Sequence, residues 1–119
     1  MTKTYFFDSY AIIEILKGNK NYQKYIEYDI VLTKLNLFEV FYRLFHDSEE
    51  KAKIFLEIYS KYVVDFDEEI IEASAKLKLM NKKLSMADCI GYAIALKHEI
   101  KFLTGDQEFK DVSNVEFVR

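Results

Sequence analysis

Four acidic side chains lie within apolar segments of the sequence or directly at their ends. Asp8 follows an aromatic run, Glu39 lies within an amphipathic pattern, Asp88 opens a small-residue-rich pattern, and Asp106 follows an apolar run ending in Thr104. Carboxylate oxygens are the preferred ligands of hard divalent ions such as Mg²⁺ and Mn²⁺. Two such ions about 4 Å apart can activate a water and stabilise the leaving oxygen during phosphodiester hydrolysis. The four acids therefore indicate metal-dependent hydrolysis that requires no His or Cys ligand.

The segments that must position these acids alternate between strand-like and helix-like patterns. The predicted strands span residues 4–7, 29–32, 62–66, 100–103 and 115–118. The predicted helices span residues 10–16, 22–28, 33–46 and 47–60, and two more follow the caps Asp67 and Ser85. Strands that are apolar on both faces and joined by helices favour a parallel sheet between two helical layers. The 119 residues predict a single α/β domain over residues 1–119.

In a parallel sheet of this class, ligands bind beyond the carboxyl ends of the strands. Asp8 and Asp106 directly follow the first and fourth predicted strands. Asp88 lies in the first turn of the helix before strand four, and this helix starts at the carboxyl edge because it runs antiparallel to the strand. Glu39 lies about two turns into the helix after strand two. The predicted topology therefore brings all four acids to one edge.

Each acid also has an ordinary structural explanation. Asp8 could cap the first helix, and Glu39 could pair with Arg43 four residues later. Asp88 fits a capping box at the start of its own helix, and Asp106 could form an Asx turn. Four independent coincidences at one edge are a weaker explanation than one site, but the sequence leaves both open.

Other catalytic chemistries have little support in the sequence. It contains no P-loop, GxGxxG, HExxH or cysteine cluster, and Ser9 lacks the nucleophile elbow of α/β hydrolases. His46 and His98 are isolated near predicted helix ends. Cys89 lies in an apolar helix, where a small buried hydrophobe is the simpler interpretation.

The overall charge does not decide whether the substrate is a nucleic acid. The chain carries a formal net charge of −3. Without the four candidate ligands the balance is −3 + 4 = +1, so the acidic composition reflects the candidate site itself. We find no secretory signal and no apolar run long enough to cross a bilayer, so we expect a cytoplasmic protein without membrane contact.

Four segments resemble those of PIN-domain ribonucleases. They are YFFDSYAII around Asp8, TKLNLFEV around Glu39, LSMADCIGYAIA around Asp88 and FLTGDQEF around Asp106. The resemblance covers nearly the whole chain, and its last two segments are the most specific. In size and motif layout the chain is similar to VapC-type toxins of toxin–antitoxin pairs.

The resemblance implies a three-layer α/β/α fold with a parallel five-stranded sheet in the order 3-2-1-4-5. It also implies endonucleolytic cleavage of RNA by water activated on Mg²⁺ or Mn²⁺, with Thr104 and Ser9 as supporting residues. Among the basic residues that could line the edge, we select Arg43 and Lys34 as candidate RNA contacts. Relatives of this type form homodimers and are inhibited by an antitoxin laid across the site.

Two other functions remain compatible with the sequence. A PIN-like domain could serve protein interaction or RNA processing without a toxin role, and it would then show no divalent-dependent cleavage. A phospho-acceptor or dehalogenase-like enzyme could use Asp8 as a nucleophile. Such enzymes need a second Asp two residues later, where this chain has Tyr10.

Overall fold

A computed structural model describes residues 3–119 and contains a parallel four-stranded sheet. The strands are β1 (Thr4–Phe7), β2 (Asp29–Val31), β3 (Lys101–Thr104) and β4 (Val115–Phe117), in the order β2-β1-β3-β4. Registers such as Phe6 opposite Phe102 and Leu103 opposite Glu116 align the carboxyl ends of neighbouring strands. Side chains that follow β1 and β3 therefore emerge at the same edge.

Within residues 3–119, five α-helices cover the sheet, and short 3₁₀ segments connect several elements. The helices are α1 (Ser9–Leu16), α2 (Lys34–Asp47), α3 (Glu49–Tyr59), α4 (Glu68–Met80) and α5 (Met86–Lys97). The 3₁₀ segments are Lys20–Glu27, Ser60–Tyr62 and Gln107–Phe109. The first of these replaces the helix predicted for residues 22–28. Among residues 3–119, no helix has the length and apolarity that a membrane span would require.

Alternation along β1 divides the core into two clusters. Tyr5 and Phe7 point to one face, where they pack with residues of α1, α2 and α3. Phe6 points to the opposite face and packs with residues of α4 and α5. Successive side chains of a strand point to opposite faces, so one aromatic strand supplies both cores. The predicted arrangement of a parallel sheet between two helical layers is confirmed.

The strand predicted for residues 62–66 is wrong, and the sheet has four strands rather than five. Only one bridge forms there, between Leu32 and Val63. It consists of hydrogen bonds from Leu32 N to Tyr62 O (3.3 Å) and from Val64 N to Leu32 O (2.9 Å). The 3₁₀ segment ends at Tyr62 on one side of the bridge, and Thr33, which directly follows Leu32, already caps α2 on the other, so the pairing extends in neither direction.

Gly91 allows α5 to approach the sheet closely. A Cβ atom at this position would lie 2.5 Å from Cε1 and 2.8 Å from Cζ of Phe6. The Phe6 ring stacks on Phe102, with centroids 5.5 Å apart and an interplanar angle of 15°, so it has little freedom to move away. This contact sets the depth of α5, which carries Asp88 one turn earlier.

We predict that Gly91→Ala destabilises the protein by about 1–3 kcal/mol, because the added methyl group overpacks a filled interface. Without the clash, Ala would instead stabilise the helix by about 1 kcal/mol. The sign of the change in the free energy of unfolding, measured by chemical denaturation, therefore tests the close approach.

The control for Gly91→Ala is a double-mutant cycle with Phe6→Leu, which removes the ring that the methyl group would meet. We expect Gly91→Ala to cost less in the Phe6→Leu background than in the wild-type protein. A stabilised Gly91→Ala single variant would contradict the packing described for α5.

Candidate functional site

An open cavity of about 730 Å³ lies at the carboxyl edge of the sheet. The four acids predicted from the sequence all line it, namely Asp8, Glu39, Asp88 and Asp106. They come from four different places in the chain: the ends of β1 and β3, the middle of α2 and the first turn of α5. The structure therefore brings the predicted acids together around one space.

Asp8 lies at the junction of β1 and α1, and it is only 3% exposed. Its Oδ1 caps α1 by accepting a hydrogen bond from Ala11 N (2.8 Å), and its Oδ2 accepts one from the Thr104 hydroxyl. Burial raises the pKa of Asp8 to about 8, and the negative charges of Asp88 and Asp106 also raise it. The two hydrogen bonds lower this pKa but do not offset the increase. A nearby cation would remove this unfavourable charge.

Thr104, the fully buried last residue of β3, connects two of the acids. Its hydroxyl donates to Asp8 and accepts a hydrogen bond from Asp106 N (3.0 Å). The Asx turn considered for Asp106 is also present, since its Oδ1 accepts from Glu108 N (3.0 Å). That bond occupies one oxygen of the Asp106 carboxylate.

Gly105 keeps this turn close to the rest of the fold. A Cβ atom there would lie 2.2 Å from Val118 O and 2.3 Å from Cε1 of Tyr10. A side chain at this position would therefore displace either the end of the chain or the Tyr10 ring. The glycine between Thr104 and Asp106 thus fixes where the second acid emerges.

Asp88 completes a capping box at the start of α5. Its Oδ2 accepts from Ser85 N (3.0 Å), and Asp88 N donates to Ser85 Oγ (3.0 Å). Partial burial raises the pKa of Asp88, and the charges of Asp106 and Glu39 raise it too. The hydrogen bonds with Ser85 lower this pKa, but the net shift is upward. Asp88 therefore caps its helix and lies within electrostatic range of two other acids of the cavity.

Glu39 is held by a relay that the sequence analysis did not identify. Ser9 Oγ donates to Glu39 Oε1 (2.7 Å) and accepts from Asn36 Nδ2 (3.2 Å). Asn36 is 1% exposed, and its Oδ1 accepts from the Thr33 backbone N (3.0 Å) and hydroxyl (2.9 Å). The sequence feature that could have indicated this relay is the position of Asn36, which lies three residues after the cap Thr33 and one turn before Glu39. Glu39 forms its short hydrogen bond with Ser9, and residues 3–119 contain no Glu39–Arg43 ion pair.

The two predicted basic contacts differ in their positions. Arg43 lines the cavity, whereas Lys34 opens α2 and does not contribute to the lining. Lys83 and His46 also line the cavity, and His46 lies in the last turn of α2, near the helix end that the sequence predicts for it. Basic side chains therefore line the cavity from both α2 and the loop before α5.

The acids fit a hydrated ion better than a dry protein cage. Within the described residues 3–119, no three His, Cys, Asp or Glu side chains are close enough together to hold one metal ion. The ion pairs formed in that part of the chain do not include Asp8, Glu39, Asp88 or Asp106, although Asp47, which also lines the cavity, lies within pairing distance of His46. Mg²⁺ retains several waters and usually binds through one or two carboxylates. An all-oxygen set spread around an open cavity suits that chemistry.

Solved structures with the same fold come from bacterial toxin–antitoxin systems. A toxin–antitoxin complex from Klebsiella pneumoniae matches at 20% identity with a TM-score of 0.73, covering 94% of this chain and 95% of that one. VapBC2 from Rickettsia felis, bound to a DNA fragment from its promoter, matches at 17% identity with a TM-score of 0.72 and 97% coverage of both chains. VapBC-1 from nontypeable Haemophilus influenzae matches at 18% identity with a TM-score of 0.71, covering 97% of this chain and 96% of that one. At these identities the similarity establishes the fold.

Sequence comparison identifies the family independently of the fold. A comparison with curated proteins gives no significant match. The sequence profile of the PIN domain, however, matches residues 5–115, which include the four predicted acids Asp8, Glu39, Asp88 and Asp106. The resemblance inferred from the four acidic segments is thereby confirmed, and the chain belongs to the PIN domain family.

Proposed function

We propose that this chain is a divalent-metal-dependent endoribonuclease and the toxin of a toxin–antitoxin pair. The observation that carries the proposal is the convergence of Asp8, Glu39, Asp88 and Asp106 on one cavity of a PIN domain. Their carboxylates would hold Mg²⁺ or Mn²⁺. When bound, such ions lower the pKa of a coordinated water and stabilise negative charge on the departing oxygen.

The remaining residues of the cavity would hold the ligands and the substrate in place. Thr104 orients the Asp8 carboxylate and fixes the turn that bears Asp106. Ser9 orients Glu39 through a hydrogen bond of 2.7 Å. Arg43 can contact the phosphate backbone of RNA with a charged, bidentate donor group. We assign Lys34 only a peripheral contact, because it lies outside the cavity lining.

We predict that Asp88→Asn lowers RNA cleavage at least about 100-fold while the fold survives, since Asn can still accept from Ser85 N. The measurement is cleavage of a tRNA and rRNA panel in Mg²⁺ or Mn²⁺, with a chelator-treated sample beside it. Glu57→Gln is the matched control, because Glu57 is an exposed acid on α3 outside the cavity. Cleavage that persists in chelator would contradict the metal site, and a wild-type protein that cleaves no RNA would favour a binding module.

We also predict that the metal-free protein loses stability as pH rises from about 5 to 8. The folded pKa of Asp8 is about 8, well above the ordinary value of 3.8, so the folded state binds the extra proton within this window. The free energy of unfolding must then fall with rising pH, on the order of 3–4 kcal/mol in total. The pKa of Asp88 is also raised, so Asp88 contributes to the same loss of stability. The lowered pKa values of Glu14 and Asp67 change the stability only below this pH range.

The measurement for this pH dependence is urea denaturation in chelator at several pH values, with Asp8→Asn as the comparison. Asn can still accept from Ala11 N, and it has no proton to lose, so we expect a flatter profile and higher stability than wild type at pH 8. Added Mg²⁺ should stabilise the wild-type protein more than Asp8→Asn. Identical pH profiles for the two proteins would show that folding does not raise the pKa of Asp8.

The toxin role rests on the shared fold with the toxin–antitoxin structures over nearly the whole chain. It entails a cytoplasmic protein, an antitoxin that covers the acidic cavity, and a homodimer as the active form. A small neighbouring reading frame that encodes a DNA-binding N-terminus would support this role. Co-expression of that neighbour should then restore growth and yield a stable complex, whereas growth inhibition that the neighbour does not relieve would contradict it.

A further inference from the structure

Two large aromatic side chains on α2 are exposed at the rim of the acidic cavity. Phe38 is 68% exposed and Tyr42 is 65% exposed. Their rings stack on each other, with centroids 6.3 Å apart and an interplanar angle of 27°. Both residues line the cavity that contains the four acids. The pair therefore presents flat apolar surface directly beside the candidate metal site.

The position of the pair relates it to the acids and to the basic residues. Phe38 precedes Glu39 by one residue, and Tyr42 follows it by one helical turn. Arg43 and Lys83 line the same cavity. One surface thus combines oxygen ligands for a cation, stacked aromatic rings and positive charges. A single strand of RNA can contact all three at once.

A neighbouring pair on the same helix shows that stacking alone is not distinctive. Phe41 and Phe45 also stack, with centroids 5.5 Å apart and an interplanar angle of 29°. Phe41, however, packs against the core, and neither ring lines the acidic cavity. What separates Phe38 and Tyr42 from this pair is their exposure on the side of α2 that faces the acids.

We propose that Phe38 and Tyr42 form a stacking platform for unpaired bases of single-stranded RNA next to the phosphate that is cleaved. Bases stack on aromatic side chains with little dependence on sequence, and each stacked base contributes substantially to binding. The platform would hold the strand while Arg43 contacts its backbone. This inference rests on the proposed ribonuclease function.

An apolar peptide of a partner protein is the rival occupant of this surface. The observations favour RNA, because the aromatic rings border carboxylates and basic side chains rather than an enclosed apolar groove. A phosphodiester chain offers anionic groups for a metal and for Arg43 together with flat bases for the rings. An apolar peptide would leave those charged groups without partners.

The test is equilibrium binding of a single-stranded RNA decamer that contains 2-aminopurine, with Ca²⁺ as the divalent ion. Quenching of 2-aminopurine fluorescence reports stacking, and anisotropy of an end label reports binding. We expect Phe38→Ala and Tyr42→Ala each to weaken binding by roughly tenfold and to reduce the quenching. Phe38→Tyr should retain both signals, whereas Phe38→Leu should lose the quenching.

Two controls separate stacking from general damage to the protein. Phe45→Ala removes an exposed, stacked ring outside the cavity and should bind the decamer like wild type. A decamer with an abasic site in place of the stacked base should bind the wild-type protein and Phe38→Ala equally. Circular dichroism and the midpoint of thermal unfolding confirm that each variant is folded.

The outcomes distinguish this inference from the nuclease proposal. Unchanged decamer binding and quenching in Phe38→Ala and Tyr42→Ala would overturn the platform, even if the protein cleaves RNA. Loss of a protein partner by these variants with intact RNA binding would overturn it in favour of a peptide surface. Aromatic-dependent RNA binding without any cleavage in Mg²⁺ or Mn²⁺ would support the platform while the nuclease proposal fails. A wild-type protein that does not bind RNA would overturn both.

Discussion

The cost of ionising a buried carboxylate beside other acids is the constraint on which the arrangement of this sheet edge depends. Asp8 is buried, and Asp88 and Asp106 act on it through space, so its ionised form is unfavourable in the folded chain. The fold withstands this cost because hydrogen bonds hold each carboxylate in place, from Thr104 and Ala11 to Asp8, from backbone N–H groups to Asp88 and Asp106, and from the Ser9 hydroxyl to Glu39. A site of this kind stores unfavourable charge that a cation can neutralise, which is how metal affinity can be built into a small domain.

The structural and chemical explanations of the acids turn out to be compatible. Asp8 caps α1, Asp88 completes a capping box and Asp106 forms an Asx turn, as the cautious interpretation of the sequence suggested. These bonds nevertheless leave the three residues on the wall of one cavity. Local turn geometry aims the carboxylates, so a capping role is no argument against a role as ligand.

How far the sequence predicted the molecule differs from feature to feature. The positions of Asp8, Asp88 and Asp106 were predictable, because each follows or opens an apolar segment whose direction in a parallel sheet is known. Glu39 was placed by the helix that follows the second strand, and Thr104 was expected only from the resemblance to PIN-domain ribonucleases. The relay from Asn36 was not, because it joins side chains 27 residues apart, Asn36 and Ser9, through a contact that only the packing of α1 on α2 creates. Residues 62–66 have a strand-like composition, but the 3₁₀ segment that ends at Tyr62 and the Thr33 cap that follows Leu32 limit their pairing to one bridge. The exposure of Phe38 followed only from the finished fold, since its helical spacing also fits a core position.

Side-chain length at the cavity follows from the capping geometry. Three of the four acids arise at the start of a helix or in a tight turn, where the carboxylate accepts a hydrogen bond from a backbone N–H two or three residues away in the chain. Aspartate has the short reach that the Asp8 cap and the Asp106 turn require, whereas the capping-box position of Asp88 also suits Glu or Gln. Glu39 lies in the middle of α2, where no backbone N–H needs a cap, and its longer side chain extends from the helix to Ser9. The residue types at Asp8, Asp106 and Glu39 therefore suit the backbone positions available at this edge, and lengthening either aspartate would disturb a local hydrogen bond as well as the geometry of the cavity.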